Sequence, residues 1–206
     1  MTEEVVIIDY GMGNLHSVKS AFEFLNCKVV VTADALTIEK ANFLVLPGVG
    51  SFRKAMLSIC EKKFDHAIKG ALGNKAKFLG ICLGFQLCGT ESSEDGKTSG
   101  LGLIEGHVDK FQFESGMKLK IPHVGFNEVN FEPESQLFKG IENLSDFYFN
   151  HSYRFISMTG VNKYSLSSHG EDFISSFEGE NVFGTQFHPE KSQTNGLKLL
   201  SNFLRI

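Results

Sequence analysis

The segment Phe78–Gln86, FLGICLGFQ, decides how the rest of the chain is read. Phe78–Ile81 is a short apolar run that fits a strand buried on both faces, and Leu83–Cys88 fits a helix, so Cys82 stands at the change of direction. A strand that turns directly into a helix is the repeating unit of an α/β sheet. The pattern recurs upstream, where Glu4–Tyr10 (EVVIIDY), Lys28–Thr32 (KVVVT) and Phe43–Leu46 (FLVL) are apolar runs that stop at turn residues. Between them, His16–Leu25 places Val18, Ala21, Phe22 and Leu25 on one helical face, and Ser51–Cys60 does the same with Phe52, Ala55, Met56 and Ile59. Strands alternating with helices predict right-handed crossovers and a mostly parallel central sheet flanked by helices.

Beyond about Gly100 the texture changes. HVDKFQF, KLKIPHVGFNEVNF, DFYFNHSYRF and NVFGTQF read as further β structure with little helical periodicity between them, until Leu197, Leu200 and Leu204 mark a final helix over about Asn195–Leu204. No repeat or linker separates the halves, so residues 1–206 are read as a single domain. The 206 residues, 42% hydrophobic, are enough for a sizeable core. A net charge of -4 gives no basic field for nucleic acid. The N-terminus lacks the basic start and long apolar run of a signal peptide, and no run is long enough to cross a membrane. Cysteines at 27, 60, 82 and 88 form no Cys-x-x-Cys pair, so the reading is a cytoplasmic protein with reduced thiols and no structural metal.

Gly80-Ile81-Cys82-Leu83-Gly84 has the form G-x-C-x-G, a thiol version of the nucleophile elbow. The glycines allow neighbouring backbone to approach on both sides, and the Leu83 amide at the helix start supplies positive potential. A buried structural cysteine is the competing reading, and the pentapeptide alone leaves both open. A nucleophilic thiolate needs a base and the base an orienting group; His188 and Glu190, in QFHPEKS, offer both. Read as an extended segment, residues i and i+2 share a side, with Pro189 stiffening the backbone between them. His16, His66, His107, His123, His151 and His169 lack so restricted an arrangement, although His123 and His151 are candidates for positions near the site. Pro47-Gly48-Val49-Gly50-Ser51 follows another strand, and glycines on both sides of Val49 let its peptide reorient toward an oxyanion. Neither it nor Gly11-Met12-Gly13-Asn14 completes a nucleotide-binding fingerprint.

The trio LPGVGSF, GICLGFQL and QFHPEKS resembles the class I (triad) glutamine amidotransferases. With IIDYGMGNLHSV, GLGLIEG, IPHVGFNEV, NHSYRF and NGLKLLSNFL the likeness extends from about Val6 to Leu204 and is closest to the glutaminase subunits of imidazole glycerol phosphate synthase. The resemblance implies a flavodoxin-like α/β fold and hydrolysis of L-glutamine to glutamate and ammonia, with Cys82 as nucleophile, His188 as acid and base, and Glu190 as its orienting group. It implies an oxyanion hole from the backbone of Leu83, Val49 and Gly50, and glutamine binding by Gly48, Gln86, Glu94 and the Ser152-Tyr153 backbone. No cofactor is implied. The implied partner is a (β/α)₈ cyclase subunit that receives the ammonia as a heterodimer, activates the glutaminase when its own ligand binds, and makes imidazole glycerol phosphate and AICAR in histidine biosynthesis. Asn14, Phe126 and Lys191 fall at positions the family places at that interface. Two departures bear on the partner: Phe126 replaces a usual tryptophan, and Asn150 stands where an apolar residue is common. A related branch supplies ammonia to an amidotransferase of bacterial surface-sugar synthesis, so the sequence leaves that partner open. The remaining alternatives are a cysteine hydrolase of another class and a catalytically silent regulatory subunit.

Overall fold

The computed structural model describes residues 3–113, 119–161 and 163–206. Along the chain lie β1 (Glu4–Ile8), α1 (Leu15–Phe24), β2 (Lys28–Thr32), α2 (Ala35–Glu39), β3 (Phe43–Gly48), α3 (Phe52–Glu61), α4 (Phe64–Gly73), β4 (Lys77–Cys82) and α5 (Leu83–Leu87). The second half contributes β5 (Glu91–Ser92), β6 (Thr98–Ser99), β7 (Glu105–Lys110), β8 (His123–Phe131), β9 (Ser145–His151), β10 (Tyr153–Thr159), β11 (Lys163–Ser168), β12 (Asp172–Glu178), β13 (Val182–Thr185) and α6 (Gln193–Phe203).

Nine strands form one sheet in the order β2-β1-β3-β4-β13-β12-β11-β8-β9. Its first five strands are parallel and the remaining pairings are antiparallel, so the expected mostly parallel sheet is a mixed one. The expected extra β structure completes the antiparallel half and adds a second sheet, β10-β7-β5-β6. DFYFNHSYRF, expected as one β segment, is broken at Ser152: β9 pairs with β8 in the large sheet, while β10 pairs with β7 in the small one. Lys118, the first residue of the KLKIPHVGFNEVNF segment, lies outside the described residues.

The parallel strands are buried on both faces, as their unbroken apolar runs require. Period-2 alternation sends Val6, Ile8, Leu44, Leu46 and Phe78 to one core, beneath Phe52 and Ile59 of α3 and Ile68 of α4. It sends Val5, Ile7, Val45, Leu79 and Ile81 to the other, covered by Val18 and Phe22 of α1 and Leu199, Leu200 and Phe203 of α6. Each fully buried aliphatic or aromatic side chain contributes roughly 1.5–3 kcal/mol. These two layers fix the C-terminal ends of β3 and β4, where Gly48 and Cys82 are register partners on adjacent strands. Among the described residues, no helix is long and apolar enough to cross a membrane.

Candidate active site

Cys82 ends β4 and caps α5 with φ 56° and ψ -105°, a region that a residue with a side chain enters at a cost of about 1–3 kcal/mol. Packing holds it there. A Cβ on Gly80 would lie 2.6 Å from the Gly84 carbonyl oxygen, and one on Gly84 would collide with the Leu46 carbonyl. The flanking glycines therefore serve close approach, as expected, while the strain is carried by the cysteine itself. The helix behind it is only five residues long, so the positive potential is that of a few local amides. Burial leaves Cys82 5% exposed, and its thiol donates to the Asn150 carbonyl over 3.8 Å.

His188 and Glu190 do meet, with Nδ1 and Oε1 2.9 Å apart. The expected extended geometry is not what brings them together. His188 is extended, but Pro189–Lys191 is a turn of 3-10 helix, and that turn swings the Glu190 carboxylate back under the ring. Proline's fixed φ suits the first position of such a turn. Ser192 locks the corner by donating to the His188 carbonyl at 2.6 Å, and the Tyr148 N–H donates to its hydroxyl oxygen. Among the described residues, His188 Nε2 and Glu190 Oε2 are buried without hydrogen-bond partners. Burial alone would push the imidazolium down, yet Cys82 as a thiolate, followed by Glu190, outweighs it and raises His188 to about 10. An ionised Cys82 thus favours the imidazolium form of His188.

In front of Cys82 opens a cavity of about 440 Å³. Val49, Gly50 and Leu83 line it at the elbow, together with Gln86, Glu94, Ser152 and Tyr153. Gly48 does not line it. That residue lies beneath, where a Cβ would run into the Tyr10 hydroxyl and come within 2.9 Å of Leu83 Cβ. Val49 is 42% exposed and Gly50 has φ 106°, so the loop carries a backbone conformation that favours glycine next to an unpacked peptide. Glu94 accepts from the Phe52 N–H at 2.8 Å and so caps α3. Burial pushes its carboxyl up, the Phe52 bond opposes this, and Asp95 adds to the rise.

The three interface candidates divide. Phe126 is 50% exposed and meets Tyr148 edge-on at 5.6 Å, while Lys191 sits 5.5 Å over the same Tyr148 ring as a cation–π pair. They form one patch, joined to the triad because Tyr148 also neighbours the His188 ring. Asn14 instead caps α1 through Ser17; the preceding Met12 and Gly13 are what adjoin the oxyanion loop, where a Cβ on Gly13 would lie 3.2 Å from the Pro47 oxygen and one on Gly50 3.0 Å from Met12 Cε.

His66 and His107 do have carboxylate partners, Asp65 and Glu91, but these pairs are more exposed than His188–Glu190 and neither histidine lines the cavity in front of Cys82. His151 lines the cavity, and His123 stands behind it at hydrogen-bond distance. Tyr10 and Gln186 were not singled out from sequence, and Asn150 was noted for its polar side chain and not for its carbonyl. Tyr10 carries a buried, unpartnered hydroxyl against Gly48; burial, then the charge of Cys82, pushes it up. Asn150 contributes its carbonyl. Gln186, fully buried, points its amide nitrogen at Cys82 from 3.8 Å. The alternation that was applied to His188 and Glu190 also places Gln186 on the side of His188, so the signal was present in QFHPEKS.

A strained cysteine, a histidine anchored by a carboxylate and a cavity flanked by backbone amides suit acyl transfer from an amide. A profile described as glutamine amidotransferase class-I matches residues 6–206. Imidazole glycerol phosphate synthase subunit HisH 1 of Campylobacter jejuni is 44% identical over 203 residues, covering 98% of this chain and all of that protein. The HisH subunit of Aquifex aeolicus is 43% identical over 201 residues, covering 97% and 95%. Among solved structures, PurLQS of Thermotoga maritima overlays with a TM-score of 0.74 at 20% identity, covering 100% of this chain and 99% of that one. A glutamine amidotransferase of the same organism gives 0.63 at 15%, covering 100% and 84%.

Proposed function

This chain belongs to the class I glutamine amidotransferase family, and from that premise we propose that it is the glutaminase subunit of imidazole glycerol phosphate synthase in histidine biosynthesis. The observation that carries the reading is the hydrogen-bonded His188–Glu190 pair set beside a strained Cys82 at the mouth of an amide-lined cavity.

Cys82 Sγ attacks the side-chain carbonyl carbon of glutamine, and the carbonyl oxygen becomes an oxyanion. The Leu83 N–H and, after the peptide reorients, an N–H of Val49 or Gly50 donate to it. His188 gives its Nε2 proton to the amide nitrogen, the C–N bond breaks and ammonia leaves, which forms the γ-glutamyl thioester. Neutral His188 then takes a proton from water; the hydroxide cleaves the thioester to glutamate and returns the thiolate. Glu190 holds Nδ1–H throughout, which keeps Nε2 toward the reacting atoms. Glutamine is bound by Gln86, Glu94 and the Ser152-Tyr153 backbone, and residues 1–206 act as one domain.

Ammonia released into water is protonated and loses its nucleophilicity, so it must pass directly to an acceptor. The acceptor is a (β/α)₈ cyclase subunit, docked over Phe126, Tyr148 and Lys191. The named relatives are synthase subunits, and the surface-sugar alternative has no support among them. The setting is the cytoplasm. The test is labelling with the glutamine electrophile diazo-oxo-norleucine followed by peptide mapping. Modification of Cys82 with loss of glutaminase activity is expected; Cys82→Ala should abolish that activity while ammonia-dependent synthesis by the complex persists. Full glutaminase activity in Cys82→Ala refutes the mechanism.

A further inference from the structure

The Tyr153 carbonyl, at the cavity wall, is the hub of a hydrogen-bond network whose directions follow from chemistry. A carbonyl oxygen only accepts, so both its side-chain partners must donate: His151 Nδ1 at 2.8 Å and Gln86 Nε2 at 2.8 Å.

The inner arm follows from Gln86. Its second Nε2 proton goes to Gln186 Oε1 at 2.9 Å, which turns the Gln186 amide so that Nε2 faces Cys82 Sγ at 3.8 Å. No other orientation of the two amides satisfies these contacts. The outer arm runs the opposite way. Because His151 carries its proton on Nδ1, its Nε2 accepts from His123 Nδ1 at 3.1 Å; His123 Nε2 accepts in turn from Asn127 Nδ2 at 3.2 Å. Asn127 donates its other proton to the Ser168 carbonyl and neighbours the exposed Phe126 on β8. Every nitrogen in the chain has one permitted role. A thiol uses its proton on the Asn150 carbonyl; a thiolate needs donors, and Gln186 is one already aimed at it. The titratable groups that act with Cys82 are His188 and Tyr10.

We propose that Gln186 is a positioning residue that donates to the Cys82 thiolate, with its amide turned by Gln86 from the Tyr153 carbonyl, and that His151, His123 and Asn127 secure that carbonyl from the docking strand. The outer arm rests on the glutaminase reading; the inner arm needs only the geometry.

The experiment measures alkylation of Cys82 by iodoacetamide against pH, with the site mapped by mass spectrometry, in the full chain and in Gln186→Met and Gln186→Glu. One hydrogen bond to a charged atom corresponds to about a tenfold change in rate. Gln186→Met should have its profile displaced to higher pH by about one unit, so that on the rising limb it reacts about tenfold more slowly. Gln186→Glu, of equal size, replaces a donor by a negative charge and should be slower still. A merely structural role does not order the series by charge. Profiles that superimpose on the native one, or a glutamate variant as fast as the native protein, overturn the inner arm. For the outer arm, His123→Leu should raise the concentration of diazo-oxo-norleucine needed for half-maximal labelling about fivefold with little change in the maximal rate. His123→Asn, whose amide can still donate to His151, should restore it; equal behaviour of leucine, asparagine and native forms overturns that arm. If the native protein is not labelled by the glutamine analogue while the alkylation series holds, the glutaminase reading fails and the Gln186 assignment stands.

Discussion

Replacing Cys82 by alanine should discharge His188. In the native fold the ring titrates near 10 instead of about 6.5, and at 1.36 kcal/mol per unit this corresponds to about 5 kcal/mol in favour of the imidazolium. Burial works against that charge, so the attraction it overcomes is larger than the net figure. Of the two sources, Cys82 acts more strongly than Glu190. Alanine removes the stronger source and leaves the ring buried with only Glu190, so the titration should fall by at least about two units, toward or below neutrality. Histidine labelled with nitrogen-15 makes the change visible: long-range proton–nitrogen correlations give distinct patterns for the imidazolium and each neutral tautomer. The native spectrum should hold the imidazolium pattern for one histidine past about pH 9. The variant should show neutral His188 near pH 7.5 with its proton on Nδ1, toward Glu190. A ring that still titrates near 10 without Cys82 refutes the ion-pair reasoning, because Glu190 alone would then account for the charge.

Glu190→Gln should lower the same titration by less than Cys82→Ala does, and should reduce glutamine turnover about 100-fold or more through loss of the anchored ring; the order of the two variants in the titration is the check. Acid should destabilise the fold through the inner histidines. Burial pushes His151 down to about 3, and burial with His169 pushes His123 to about 4. A histidine with a lowered folded value contributes stability above its unfolded value near 6.5 that is lost as pH falls toward the folded one. Between pH 6.5 and about 5, His151 should remove about 2 kcal/mol and His123 less, being better solvated. Urea midpoints at about pH 7.5 and 5 should therefore diverge, with a smaller gap in His123→Leu; an equal gap contradicts the assignment. Gly84→Ala should cost about 3 kcal/mol or prevent folding, since its Cβ meets the rigid Leu46 carbonyl, whereas Gly73→Ala, in open space at the end of α4, should be neutral or gain about 0.5 kcal/mol by thermal melting.

What could be read in the sequence was whatever local chemistry dictates. β2 lies where KVVVT placed it, and α1 and α3 begin and end within a residue of the expected bounds, because each has a clear apolar face and a capping side chain, Asn14 or Ser51. The helix α4 went unread although Phe64, Ala67, Ile68 and Ala71 share a face: it starts from Lys63 in a left-handed conformation with no side-chain cap. The strands β11 and β12 were hidden by their serines. Ser165, Ser175 and Ser176 hydrogen-bond one another in the interior, so a polar composition disguises buried sheet. At the site, the cysteine elbow and the His188–Glu190 pair were legible as spacing. The turn that makes the pair is held through Ser192 by Tyr148, 44 positions away, and the depth at which Gln186 lies depends on Gln86 and Cys82, about a hundred positions away.

The break at Ser152 means that the cavity in front of Cys82 is a seam between two separately bonded sheets, one wall from each. During synthesis the parallel strands through Cys82 leave the ribosome first, the seam closes only after β10 finds β7, and His188 arrives last of all. A nascent or partly unfolded chain therefore carries a cysteine without its pocket wall or its acid. Competence to release ammonia thus depends on both sheets having joined.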